Sequence, residues 1–128
     1  MSGSSSLKVL AIVIAGLGFF SPFAAEAQQP ERRLLMFDAD GCEFCERWQR
    51  EVGIIYAKTR EGALAPLQVA KLGDALPIGV HLGAAVRYTP TFVVLNADGK
   101  EIGRITGYIG EEQFWSLLEA LLPAPDRS

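Results

Sequence analysis

Cys42 and Cys45 are the only two cysteines of this 128-residue chain, in the stretch Phe37-Asp38-Ala39-Asp40-Gly41-Cys42-Glu43-Phe44-Cys45-Glu46-Arg47-Trp48. Sulfurs at that spacing can form a structural bridge, supply half of a metal site, or act as a working dithiol. A bridge closing a loop of four residues removes little entropy from the unfolded chain and returns only roughly 2 kcal/mol. Structural zinc asks for four ligands. Beyond the two cysteines the chain offers only a lone histidine, His81, far along the sequence. The expectation for metal is therefore none.

A dithiol fits better, for a geometric reason. If Cys42 lies in the first turn of a helix, its sulfur faces unpaired backbone N–H groups and the positive end of the helix dipole, which favour the thiolate. Cys45 then sits one turn further in, shielded and close enough to resolve a mixed disulfide. Cys42 is the expected attacking thiol and Cys45 the resolving one. Glu43 and Glu46 flank the pair, and their charge disfavours a thiolate, whereas Arg47 acts the other way. The balance leans towards a reductant.

The compartment comes from the first residues. Lys8 precedes an apolar run from Val9 to Phe20, followed by Ser21-Pro22 and then Ala25-Glu26-Ala27. That is the order of a secretory signal peptide, with a cut after Ala27. The run is shorter than the roughly 20 apolar residues a membrane span needs, and the alternative to cleavage is an uncleaved tether, because Lys8 is the one basic residue ahead of it. Residues 1–27 are read as the signal and 28–128 as one domain, about one hundred residues long and too short for two cores. The formal charge is −3. With no basic cluster interleaved with aromatics, nucleic acid is excluded as a partner.

The elements that must position the pair follow from patterning. Leu34-Leu35-Met36-Phe37 reads as a strand buried on both faces. Asp40 or Gly41 caps a helix that carries Cys45, Trp48, Val52 and Ile55 on one face, with Gly53 as a place to bend. Leu67 to Ala70 is a faint strand, and Val80 to Val86 a short helix. Thr91 to Leu95 is the strongest strand, opening after Thr89-Pro90, and Asn96 to Lys100 turns it into a strand over Glu101 to Thr106. Phe114, Leu117, Leu118 and Leu121 define a final helix, stopped by Pro123. The expected fold class is α/β, a central mixed four-stranded sheet with helices on both faces. Trp48 reads as core, His81 as exposed, Tyr88 as either groove or packing, and Phe44 as an exposed partner contact.

Cys42-Glu43-Phe44-Cys45 after a buried strand, and Tyr88-Thr89-Pro90-Thr91 before another, give a chain that resembles the thioredoxin superfamily from about Leu34 to Leu122. The stretches GCEFCERW, EGALAPL, RYTPTFVVLNADGKEIGRITGY and FWSLL resemble the SoxS type, small periplasmic thioredoxins of the bacterial Sox sulfur-oxidation system. The resemblance implies a minimal thioredoxin-like fold and a cis bond at Thr89-Pro90. It also implies substrate binding along Glu43, Phe44, Thr89 and Pro90, where a partner strand pairs with the backbone.

As activity it implies a periplasmic thiol–disulfide reductase whose only redox group is the Cys42–Cys45 pair. Such a protein acts as a monomer on a protein disulfide, that of the Sox sulfur-carrier protein, and is recharged by a membrane thiol transporter of the DsbD or CcdA kind. The rivals are a periplasmic oxidase or isomerase in the style of DsbC, a module that binds peptides without chemistry, and a carrier of copper or zinc. The chain departs from the family in having Gly41 in place of Trp, Glu43-Phe44 in place of Gly-Pro, and Met36 where thioredoxins bury an Asp. The proton acceptor for the resolving thiol is then water, or Asp38 or Asp40 if either turns inward; both read as solvated turn residues.

Overall fold

The structure, a computed structural model, describes residues 3, 15–18 and 30–124. The expected cut after Ala27, and all but five residues of the expected signal peptide, lie outside the described residues. Among the described residues no helix is long and apolar enough to cross a membrane.

The apolar run predicted as a strand is the middle of β1, Arg32–Asp38, in which Leu34 to Phe37 are all buried. β2 is Leu67–Lys71, β3 Thr91–Asn96 and β4 Glu101–Thr106, in the order β2-β1-β3-β4. β1 runs parallel to β2 and antiparallel to β3, and β3 is antiparallel to β4. Its two central strands, β1 and β3, are the apolar ones, because both of their faces are covered.

Alternation along the strands divides the core in two. Leu34, Met36, Phe92, Val94 and Ile105 pack on one face under the helices α1, Glu43–Trp48, and α4, Glu111–Leu121. Leu35, Phe37, Val93 and Leu95 form the other face. Among the described residues no helix covers this second face. The segment expected to be helical from Val80 to Val86 is irregular, and lays Val80, Leu82 and Val86 across the sheet.

Its backbone bonds are spent elsewhere, which is why the helix does not form. The His81 N–H donates to the Gly99 carbonyl at 2.9 Å, and the Glu101 N–H to the His81 carbonyl at 2.9 Å. The Arg104 guanidinium donates to the Ala84 carbonyl at 2.7 Å, while Glu101 accepts from the Gly83 N–H at 3.2 Å. Gly99 has φ +80°, and a Cβ there would run into the Gly79 carbonyl, so the hairpin and the irregular segment can meet this closely because position 99 is glycine.

The helix after the cysteines does not end at Gly53. It passes from α1 through a π-helical turn, Gln49–Gly53, into a last α turn, α2, Ile54–Tyr56. The wider turn shifts the inner face by one residue. Cys45, Trp48, Val52 and Tyr56 are buried, and Ile55, expected inside, is 42% exposed. A short helix that patterning did not reveal, α3, Arg60–Leu64, follows, capped by the Thr59 hydroxyl, which accepts from the Gly62 N–H at 3.0 Å. In α4 the buried residues are Phe114 and Leu118, while Leu117 is 42% exposed.

Candidate active site

Everything predicted to do chemistry gathers at one end of the sheet. β1 ends at Asp38, the residue paired with Lys71 on β2, and Phe37 faces Thr91 at the start of β3. The turn Asp38-Ala39-Asp40-Gly41 then delivers the chain to the start of α1, with Gly41 at φ +73°.

Cys42 is the N-cap of α1, and its sulfur accepts from the Cys45 N–H at 3.2 Å. The two cysteines are joined in a disulfide, with Cα atoms 5.2 Å apart. Cys42 is half-buried and Cys45 only 2% exposed. The pair therefore presents one accessible sulfur and one shielded sulfur. Glu43 and Phe44 between them are exposed, Phe44 at 54%.

The Thr89-Pro90 peptide is cis, as the resemblance implied. Pro90 is buried, and its carbonyl accepts from the Gly107 N–H at 2.8 Å. Thr91 ties the approach to the strand through its hydroxyl, which donates to the Tyr88 carbonyl at 2.7 Å. Thr89 is half-buried, and among the described residues no backbone hydrogen bond engages it. Its amide and carbonyl are therefore free to pair with an incoming strand. Tyr88 is 68% exposed beside it.

Charge around the dithiol is arranged differently from the expectation in one respect. Arg47 does not serve the cysteines. Its guanidinium pairs with Glu51 at 2.8 Å and lies 5.5 Å from the centre of the Tyr108 ring. Glu51 in turn accepts a short hydrogen bond from the Tyr108 hydroxyl. That bond, with Arg47 second, holds the Glu51 carboxyl below its ordinary range. Burial, followed by the Glu51 bond, pushes the Tyr108 phenol well above its own. The trio fixes the loop after β4 to the side of the active-site helix, next to the strand that Pro90 opens.

Asp38, read as a solvated turn residue, turns inward. One of its carboxylate oxygens lies within 4.8 Å of both sulfurs, the one such cluster among the described residues. Its Oδ1 accepts from the Ala39 N–H at 2.8 Å and its Oδ2 from the Lys71 ammonium at 3.1 Å. Lys71 also donates to Asp40 at 2.9 Å. The hydrogen bond to Lys71 draws the Asp40 carboxyl below its ordinary value, and bonds to Asp40 and then Asp38 raise the Lys71 ammonium. Lys71 carried no signal in the sequence, because its strand is the faint one. While the disulfide stands both sulfurs are bonded to each other, so the cluster offers thiolate ligands only after reduction.

Trp48 is core, fully buried with ring centroids 5.0 Å from Phe92 and 5.5 Å from Phe114. His81 is exposed and pairs with Lys100 far from the cysteines, at the opposite end of β3.

A Cys-x-x-Cys disulfide at a helix start, a cis proline opening the neighbouring strand, and this strand order set the terms for comparison. A thioredoxin-like domain model matches residues 23–122. The chain belongs to the thioredoxin-like family. Its dithiol makes it a thiol–disulfide oxidoreductase. Among solved structures it is similar to the periplasmic thioredoxin SoxS of Paracoccus pantotrophus in its reduced form, with 46% identity and a TM-score of 0.69 over 71% of this chain and 95% of that one. A thioredoxin-fold protein of Helicobacter pylori shares the fold at 22% identity and a TM-score of 0.53, over 70% of this chain and 68% of that one. No curated protein sequence matches the chain.

Proposed function

We propose that this thioredoxin-like protein is an exported reductant, which passes two electrons from the Cys42/Cys45 dithiol to a disulfide on a partner protein of a sulfur-oxidation system. The observation that carries this reading is the 46% identity to a periplasmic SoxS over 95% of that chain. Electrostatics supports the direction. Glu43 and Glu46 are exposed beside the pair, Arg47 is neutralised by Glu51, and Lys71 is shared between Asp38 and Asp40. The uncompensated charge near the sulfurs is thus negative, which disfavours the thiolate and with it the reduced form. A less stable reduced form is a stronger reductant.

In the forward reaction the Cys42 thiolate attacks one sulfur of the partner disulfide and the other leaves as a thiol. Cys45 then displaces the partner and closes the Cys42–Cys45 bond. The exposed Phe44 and the free backbone at Thr89 hold the partner segment during both steps. A sulfur-carrier protein with an oxidised cysteine is the substrate this reading favours, and a membrane thiol transporter of the DsbD or CcdA kind restores the dithiol.

The test is the equilibrium reduction potential in defined thiol buffers, together with a Cys45→Ser trap in the native periplasm. A potential near −270 mV, the thioredoxin end of the scale, and a trapped sulfur-pathway protein support the reading. A value between about −180 and −120 mV, where protein disulfide isomerase and DsbA lie, would reassign the protein to disulfide formation or isomerisation.

A further inference from the structure

We propose that the Asp38 carboxylate is the proton acceptor for the Cys45 thiol. The need for one is physical. Cys45 is 2% exposed and belongs to the main apolar core cluster. It must lose its proton before it can attack, and water has poor access to it. A free thiolate accumulating in that environment would be costly, so the proton is best taken by a nearby base as the attack proceeds.

At the depth where thioredoxins carry their acid, this chain has Met36, fully buried in the same cluster as Cys45. Side chains two apart on a strand share a face, so Asp38 is the next residue towards α1 on the face that carries Met36. The acid has been moved one pleat along β1, from the core to the strand's end. There its carboxylate oxygen remains within 4.8 Å of both sulfurs, which is reach through one water.

The side chain is held for this task. Its bonds to the Ala39 N–H and to Lys71 fix both oxygens, and it is 22% exposed, which opens a path from the buried thiol to solvent. The Lys71 ammonium sits 3.1 Å from Asp38 and 2.9 Å from Asp40, so its charge is shared between the two carboxylates. Lys71 from β2, and through it Asp40 from the turn, are the charged groups bonded to Asp38 among the described residues. Glu43 and Glu46 are the further carboxylates on α1, both exposed. The ends of β3 and β4 nearest to it contribute Thr91 and Thr106, which carry no charge.

The step balances without another reactant. In the mixed disulfide the Cys45 S–H proton passes to Asp38 and the thiolate attacks the Cys42 sulfur. The bond between Cys42 and the partner sulfur breaks as the Cys42–Cys45 bond forms. The partner leaves with the electron pair and is protonated by Asp38 or by water. Run backwards, the same residue returns the proton to Cys45, so the inference does not depend on direction or on the identity of the partner.

The experiment compares the full protein with its Asp38→Asn variant, using oxidised glutathione and insulin as substrates between pH 6 and 9. Stopped-flow kinetics would give the rate, and mass spectrometry of acid-quenched samples the amount of Cys42–glutathione intermediate. The expected result is a resolution step slower by about 100-fold at pH 7, typical of a lost general base. The deficit should shrink as pH rises, with the intermediate accumulating. Asp38→Glu should recover part of the rate. Wild-type resolution and an unchanged pH profile in Asp38→Asn would overturn the proposal. Should that variant fold poorly, Asp38→Ser gives an independent reading. The Cys42–glutathione intermediate should accumulate at pH 7 in it too, and wild-type resolution in a folded Asp38→Ser protein would also overturn the proposal.

Discussion

Gly62→Ala sets two rules of helix energetics against each other, and the geometry decides between them. Inside a helix the exchange of Gly for Ala ordinarily gains about 1 kcal/mol. Gly62 lies in α3 and is buried. A Cβ there would stand 2.7 Å from the Tyr56 carbonyl carbon and closer still to its oxygen. That oxygen is already held, accepting from the Thr59 N–H at 3.1 Å and the Thr59 hydroxyl at 2.7 Å. It cannot withdraw without weakening both bonds, each contributing about 1 kcal/mol. Overpacking against a fixed neighbour costs up to about 3 kcal/mol, so after the propensity gain the net loss is about 2 kcal/mol. For a domain of this size that lowers Tm by about 8–16 °C. Urea and thermal unfolding followed by far-ultraviolet circular dichroism would measure it, with thiol–disulfide exchange at 25 °C intact because the cysteines lie at the other end of the helical segment. A Gly62→Ala protein as stable as the parent would refute the reasoning, and with it the close seating of α3 on the end of the active-site helix.

Tyr56→Phe removes the hydroxyl that donates to the buried Ala65 carbonyl at 2.7 Å, and should cost about 1–2 kcal/mol in urea unfolding; no change would mean that the carbonyl finds another partner. Burial raises both Tyr56 and Tyr108 above the ordinary phenol value of 10.0, so the unfolded chain releases protons first and stability falls as pH rises above that value. Phenolate absorbance from these two rings should therefore appear together with unfolding, and its appearance in a folded protein would contradict the burial. Glu51 has the opposite sign. Its carboxyl is lowered from 4.5 by the Tyr108 bond and then by Arg47, so its contribution is present above about that pH and disappears as pH falls through the folded value; Glu51→Gln should flatten the acid limb of a stability–pH curve, and an unchanged limb would remove the trio from the account. Phe44→Ala should leave stability within about 0.5 kcal/mol, yet slow the reduction of a protein disulfide roughly fivefold, the equivalent of about 1 kcal/mol of lost apolar contact, without slowing a small aliphatic disulfide. Equal slowing on both substrates would place the effect in the dithiol and not in partner contact.

What the sequence disclosed and what it hid separate along a physical line. β1, β3 and the hairpin were legible because burial on both faces and the Asn96–Gly99 turn are local signals. The dithiol was legible because two cysteines at that spacing have few other uses. The helix expected from Val80 to Val86 failed because those backbone groups are engaged by residues distant in sequence, through Gly99, Glu101 and Arg104. Ile55 was placed inside and Tyr56 is found there, since a π turn alters the period that the argument assumed. Asp38 was hidden for a related reason. Its composition and neighbours are those of a solvated turn, and only the point at which β1 stops decides whether its side chain follows Met36 onto the helix face or leaves for solvent. Because β1 continues through Asp38, paired to Lys71 on a strand too faint to read, the alternation carries one residue further than the apolar run suggests. The fold was therefore readable from hydrophobic pattern, while the place of the Asp38 carboxylate beside the sulfurs was set by register, which only the assembled sheet exposes.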